Sequence, residues 1–375
     1  VTTVLLMLLQ ACSSTPGTAT PPQLGAAQPG TLHACDASAL AFPGARFSSA
    51  ALVPAGTLTI AGTPVAAHCQ VKGVLAERTS TVDGQRYAIG FEMRLPQDWN
   101  GRFFHQVNGG TDGFVGTAAG GMGGGGPLTN ALQQGFAVIS SDAGHGPAQN
   151  PLFGIDPQAR LDYGYQAVGK LTPMAKAVIA SAYGRGPDRS YLVGCSNGGR
   201  HAMVGAARYA DQYDGILAGN PGFNLPKAAV AQLYGAQQLA PHATGPDLAT
   251  SFTPAERQLV ADAILARCDA LDGARDGLVN DVAACRKAFD LERDVPACGA
   301  AGRDGRCLAP AQKAGIARMF AGARNSAGTM LYAPFPYDPG LVSANWASWK
   351  FQSSIGAQRD PVAVGFIFST PPAPI

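Results

Sequence analysis

Charge is scarce in this chain of 375 residues: Asp, Glu, Lys and Arg make up 14% of it, and 27 basic against 25 acidic residues leave a net charge of +2. Nucleic acid is therefore excluded as the main partner, because phosphate binding selects clustered Lys and Arg that release counterions. No apolar run reaches the roughly 18–20 residues that a membrane-spanning helix needs. CxxC spacing is missing, which argues against zinc ribbons and thioredoxin chemistry. G-K-[ST] is missing too, hence no P-loop. The letters G-x-G-x-x-G at residues 121–126 lack the strand–turn–helix setting and ribose-binding acid of a dinucleotide site. Histidine is limited to six residues. What is plentiful is Gly (48) and Pro (28), alongside 46% hydrophobic residues. That composition is loop-rich but supports a packed core, so wholesale disorder is excluded. At roughly 150 residues per domain the length suits two or three domains, and the low charge suits an exported protein.

Residues 1–12 (VTTVLLMLLQAC) hold a short apolar run that ends at small residues and a cysteine, the pattern of a secretory signal. Leu9-Gln10-Ala11-Cys12 resembles a bacterial lipobox, which would place a lipid anchor on Cys12; a plain signal peptide with an incidental Cys is the other reading. Residues 13–30, rich in Ser, Thr, Pro and Gly, read as a flexible linker. The chain has eight cysteines, and an oxidising compartment favours disulfides. With Cys12 set aside, the local pairs are Cys35–Cys69, Cys268–Cys285 and Cys298–Cys307. Cys195 is left over.

Apolar, β-rich runs bounded by turn residues predict strands at 87–95, 102–108 and 135–141. A Gly-rich loop fills 109–130. Three- and four-residue spacing predicts a helix over 161–183, followed by a strand at 189–194, a helix at 196–209 and a strand at 214–218. Such alternation argues for an α/β fold with a mostly parallel sheet and helices on both faces. From residue 223 strands become scarce and four cysteines gather between 268 and 307. The chain is thus divided into 31–222, the N-terminal part of a catalytic domain, and 223–375, a lid whose alternation never resumes.

The strongest chemical signal is Gly194-Cys195-Ser196-Asn197-Gly198. It fits G-x-S-x-G, and it falls between a predicted strand and a predicted helix, as a nucleophile elbow requires. Ser196 is the candidate nucleophile, and the following N–H, of Asn197, is aimed at a developing oxyanion. A second donor comes from the loop after an early strand, where Asn108-Gly109-Gly110-Thr111 offers bare backbone; Gly110 is the candidate. A serine needs a histidine base and an acid to orient it. Only His201 and His242 follow Ser196; His201 lies five residues along the same helix, and no acid is placed to precede His242. The expectation is that the triad's Asp and His lie beyond residue 375, and that the 375-residue product alone is unstable and inactive.

Residues 268–278 (CDALDGARDGL) pack Asp269, Asp272 and Asp276 into eight residues. Carboxylates and carbonyls so spaced suit a hard cation such as calcium, although carboxylates that start turns and cap helices read the same way. Trp346 and Trp349 would share one face of a helix.

The run Gly194-Cys195-Ser196-Asn197-Gly198-Gly199-Arg200, with Tyr213-Asp214-Gly215-Ile216 and Gly219-Asn220-Pro221-Gly222, resembles the tannase and feruloyl esterase family. So do Trp99-Asn100-Gly101-Arg102-Phe103-Phe104 and residues 156–162 (DPQARLD). The resemblance implies an α/β-hydrolase fold with a large inserted lid, stabilised by disulfides and calcium. It implies Ser196 as nucleophile, with the backbone of Gly110 and Asn197 as oxyanion donors. It implies Ca²⁺ held by Asp269, Asp272 and Asp276 and by the carbonyls of Ala274 and Leu278. Cys195 would pair with a cysteine beyond residue 375. Trp349 and Arg359 match substrate-binding positions of bacterial members that cleave terephthalate monoesters, but the segment after Arg359 is shorter and lacks their Phe/Ser-rich loop. Feruloyl, galloyl and terephthalate-monoester types therefore all stay open.

The expected function is a serine carboxylic ester hydrolase that cleaves aromatic-acid esters through an acyl-enzyme, in the periplasm, secreted, or as an outer-membrane lipoprotein. The alternative is a non-catalytic, calcium-stabilised binding protein of the same fold. A metal hydrolase built on the Asp cluster lacks the His ligands and open coordination site it would need.

Overall fold

The computed structural model describes residues 25–121, 130–300, 302–356 and 359–373. The leader at 1–12, with Cys12, and most of the linker at 13–30 lie outside the described residues. Seven strands form the main sheet: β1 (Ala45–Val53), β2 (His68–Thr79), β3 (Arg86–Pro96), β4 (Arg102–Val107), β5 (Ala137–Ser141), β6 (Arg189–Cys195) and β7 (Gly215–Gly219). Their spatial order is β7-β6-β4-β5-β3-β2-β1. The sheet is mixed. The β7–β6, β6–β4 and β4–β5 ladders are parallel, and β5–β3, β3–β2 and β2–β1 are antiparallel. Parallel neighbours need crossovers and antiparallel ones do not, so the long connections collect at the end that carries the elbow.

Period-two alternation sorts the strand side chains onto two faces. Phe103 and Ile139 join a core with Leu171, Met174 and Val178 of helix α1 (Ala167–Tyr183). Val107 and Leu192 join Ala202 of helix α2 (Asn197–Arg208) and Val168 of α1. Phe104, Val138 and Val193 turn the other way, against Val65, Ala118, Ala131 and Leu132. Helices thus cover one face of the parallel half, and loops cover the other.

Beyond Gly222 the chain turns helical, through α3 (Leu225–Leu239), α4 (Pro254–Cys268), α5 (Val282–Ala288), α6 (Pro310–Ala321) and α7 (Asp360–Phe366). A core of its own, with Phe252, Val260, Ile264, Phe289, Leu308, Ile316 and Phe351, fills this region. Thr253 opens α4 with a capping box: its hydroxyl accepts from the N–H of Glu256, whose carboxylate accepts from the N–H of Thr253. The three disulfides read from spacing are present: Cys35–Cys69, Cys268–Cys285 and Cys298–Cys307. Near its end the chain returns. Ala363 and Ile367 pack with Tyr87, Phe153 and Tyr163, and a Cβ on Gly154 would collide with the carbonyl of Phe366.

The predicted helix at 161–183 is interrupted. A wider, i→i+5 turn runs Asp162–Gln166 before α1 begins. The Arg200 guanidinium donates hydrogen bonds to the carbonyls of Tyr163 and Gly164 in that turn. Trp346 and Trp349 also part company. The short helix Ala344–Ser348 gives way to a second wide turn, Trp349–Ser353. Trp346 packs on Phe252 and Phe351, whereas Trp349 stays 37% exposed.

Candidate active site

Strand β6 stops at Cys195 and α2 starts at Asn197, leaving Ser196 as a one-residue turn with φ 60° and ψ −121°. A side chain in that region is sterically strained and needs its surroundings to hold it. They do. The Ser196 N–H donates to Gly219 O at 3.0 Å, and Ser196 O accepts from the N–H groups of Gly222 at 2.8 Å and Arg200 at 3.0 Å. The motif's glycines follow from close approach: an added Cβ would sit 2.6 Å from Gly198 at position 194, 2.4 Å from Val107 O at 198, and 2.5 Å from Gly219 O at 199. Ser196 itself is exposed. The strain therefore lifts a hydroxyl into solvent at a helix N-terminus, where the macrodipole favours a developing negative charge.

Over this turn passes the loop that follows β4. An added Cβ at Gly198 would lie 3.1 Å from Asn108 O, and one at Gly109 would lie 3.7 Å from Cys195 O. Asn108 anchors the loop through its amide, which donates to Ser140 Oγ at 3.0 Å and Ser141 O at 2.7 Å. Gly110 takes φ 70°, a conformation glycine adopts without penalty. Gly110 and Thr111 line one side of a cleft of about 560 Å³, and Gln352, Ser353, Gly356 and Arg359 line the other. The Arg359 guanidinium lies 4.1 Å from the Trp349 ring centroid. Its Nε is buried without a hydrogen-bond partner and lies 3.5 Å from Asp360 Oδ1. The structure thus lays the loop that carries Gly110 against the turn at Ser196 and the start of α2, and puts Arg359, with Trp349 stacked on it, on the cleft that Gly110 lines; Ser196 is not among that cleft's lining residues.

Beneath the loop lies a buried polar network that the sequence reading missed. Asp112 Oδ2 accepts from Asn197 Nδ2 at 2.7 Å and from His201 Nε2 at 2.8 Å. Asn197 Oδ1 accepts from Tyr163 Oη at 3.1 Å and Arg200 Nε at 2.7 Å. His145 Nε2 meets Thr111 O at 3.0 Å while its ring stacks on Phe153. Burial pushes His145 down to about 4 and, reinforced by Arg200, lowers His201 as well; both imidazoles are neutral at pH 7. Burial likewise pushes the Asp142 carboxyl up to about 7, against the N–H donors of Gly90 and Gly144. Among the described residues no histidine hydrogen-bonds Ser196. His201 is committed to Asp112 instead.

The aspartate loop stands elsewhere, next to the Cys268–Cys285 bridge. Asp269 Oδ1 accepts from the N–H groups of Asp276 and Gly277, Asp272 from those of Ala274 and Asn280, and Asp276 from that of Leu278. Among the described residues no three His, Cys, Asp or Glu side chains are gathered as a metal cluster. The donor set is nonetheless all oxygen, from three carboxylates in one tight loop, which is the chemistry a hard cation takes. Cys195 has a free thiol, 3.9 Å from Asn220 Oδ1.

Comparison with known proteins places these features. Mono(2-hydroxyethyl) terephthalate hydrolase of Piscinibacter sakaiensis is 42% identical over 346 residues, covering 82% of this chain and 57% of its own length. A probable feruloyl esterase B-1 of Neosartorya fischeri is 34% identical over 223 residues, 59% of this chain and 39% of that protein. The crystal structure of feruloyl esterase B from Aspergillus oryzae superposes with a TM-score of 0.68 at 25% identity, over 88% of this chain and 63% of that one. The architecture is that of an α/β-hydrolase, and the chain spans only about half the length of the curated relatives it matches. The model of the family described as tannase and feruloyl esterase matches residues 69–367, a stretch that holds the elbow, the glycine loop and the lid, and the chain belongs to that family.

Proposed function

We propose that the protein is a serine carboxylic ester hydrolase acting on esters of aromatic acids. The observation that carries this reading is Ser196, exposed and strained at φ 60° between β6 and α2. In the proposed reaction Ser196 Oγ attacks the ester carbonyl. The N–H groups of Gly110 and Asn197 receive the oxyanion, the alcohol leaves, and water releases the acid. The base for Ser196 and the acid that orients it are assigned to a His and an Asp beyond residue 375, as the family resemblance implies. Arg359 suits a carboxylate on the acyl group and Trp349 its ring; the place of Arg359 on the cleft, stacked on Trp349, supports a terephthalate-monoester type of substrate. Feruloyl and galloyl esters are the neighbouring classes to assay beside it.

Ca²⁺ is proposed as a structural ion of the lid, held by Asp269, Asp272 and Asp276 and by the carbonyls of Ala274 and Leu278. It supplies charge that would brace the loop, and takes no part in bond-breaking. Export is supported by the three disulfides, and among the described residues no helix is long and apolar enough to cross a membrane. Lipidation at Cys12 is the finer proposal, read by mass spectrometry of the mature N-terminus.

The test is hydrolysis of aromatic-acid esters by a protein carrying the whole hydrolase domain, compared with its Ser196→Ala variant. Loss of at least about 10³-fold in kcat is expected. Retained turnover in the variant would refute the mechanism.

A further inference from the structure

The two proposed oxyanion donors sit on separate pieces of chain, and the one in the loop, Gly110, follows another glycine. Gly109 and Gly110 give the loop its close approach, but they also leave its backbone free to wander. A hole whose donors drift by an ångström loses most of its effect, because stabilisation depends on donors being in place before charge develops. Something must fix the distance between the loop and the helix.

We infer that Asp112 is the positioning residue that holds the two halves of the oxyanion hole in register, by clamping the loop at 108–113 to the first turn of α2. This deepens the esterase reading and rests on it. Asp112 is two residues past Gly110, and its side chain is 1% exposed. Its backbone takes φ 56°, an unfavourable conformation for a residue with a Cβ, and that conformation accompanies a carboxylate bonded to the helix. A single oxygen, Oδ2, accepts from Asn197 Nδ2 and His201 Nε2, at 2.7 and 2.8 Å. Asn197 is the residue whose N–H is the second donor, and its side chain has no freedom left, since Oδ1 is taken by Tyr163 and Arg200. A carboxylate only accepts, so the His201 proton sits on Nε2.

The loop's other ties run away from the helix and fix its far side. Asn150 Nδ2 donates to Thr111 Oγ1 at 2.6 Å and to Asp112 O at 3.2 Å, His145 Nε2 meets Thr111 O, and the Gly113 N–H donates to Asp142 O at 3.1 Å. Asp112 supplies the tie across to α2. The residue touches no substrate; it acts through Gly110 and Asn197.

The experiment uses the protein with its whole hydrolase domain and 4-nitrophenyl benzoate as the probe ester. For Asp112→Ala the expected result is a fall in kcat on the order of 100-fold, the scale of losing one oxyanion donor, with KM within about threefold. Asp112→Asn, which keeps the shape and one acceptor oxygen, should fall between wild type and Ala. Hydrogen exchange should quicken at the amides of 109–113 in both variants while β2 and β3 keep their protection. Wild-type turnover with undiminished kcat in Asp112→Ala overturns the inference. So does a loss of kcat accompanied by faster exchange across the whole sheet, which marks general destabilisation. A wild-type protein that cleaves no ester refutes the esterase reading; the exchange at 109–113 then decides the clamp by itself, and unchanged protection there overturns it.

Discussion

The elbow half of the sheet and the helical lid keep their shapes by different means. Around Ser196 the backbone packs on itself: three glycines lie within about van der Waals reach of neighbouring backbone or side chains, and Asp112, Asn197 and His201 are bonded together out of water. In the lid, two disulfides span 17 and 9 residues of sequence, and many side chains bond to their own backbone a few residues away. The first region is specified by long-range fit and the second by local staples. Error should therefore be costly in one and tolerated in the other.

The sharpest test of that contrast pairs two glycine substitutions. Gly198→Ala drives a methyl to 2.4 Å from Val107 O. It should cost about 3 kcal/mol or more and abolish soluble, active protein. Gly245→Ala in the lid meets nothing within 4 Å but sits at φ 62°, so it should cost only about 1 kcal/mol. Urea melts of the two variants give the comparison directly; equal effects would break it.

Next in size is the lid's cross-link. Replacing both Cys268 and Cys285 by Ser frees a loop whose closure is worth about 3 kcal/mol. The lid transition should move to lower denaturant, while elbow-side amides keep their hydrogen-exchange protection.

A pH experiment separates the regions by charge. The folded Asp142 carboxyl titrates near pH 7, because burial disfavours its anion, against an ordinary value of 3.8. Between those values the folded state holds a proton that the unfolded state has lost. The contribution is therefore complete below pH 4 and is lost as pH rises to 7. Asp142→Asn keeps an acceptor for the Gly90 and Gly144 N–H groups, so its Tm should fall less than that of wild type between pH 4.5 and 7.5. The smallest effect belongs to the lid surface. Arg306 is 88% exposed in its pair with Asp304, and Arg306→Ala should shift stability by no more than about 0.5 kcal/mol in thermal melts.

What could be read from the chain tracks this division. The elbow was legible because strand, turn and helix are written in consecutive residues whose glycines have a steric cause. The disulfides were legible because their partners are near in sequence. Strands β1 and β2 escaped notice: β1 (ARFSSAALV) is an edge strand with no fully buried side chain and a Ser-Ser-Ala-Ala middle, so it carries little alternation to see. The wide turns at 162–166 and 349–353 escaped as well, since one inserted residue does not disturb composition. Asp112 and His201 are 89 residues apart, and nothing in the letters T-D-G announces a positive φ. Such a clamp is a property of the folded chain, visible only once β4 and β6 are neighbours.

One feature of the elbow bears on how the family can diversify. Ser196 O accepts from the Gly222 N–H, and Ser196 N–H donates to Gly219 O, so the root of the lid is bolted to the turn at Ser196. Further along, the chain is seated again where Phe366 meets Gly154. A segment held at two such points can change length, sequence and lining without moving the backbone of Ser196. The stretch between Gly222 and Asp360 is thus a unit that a protein engineer can exchange between family members while the elbow stays in place.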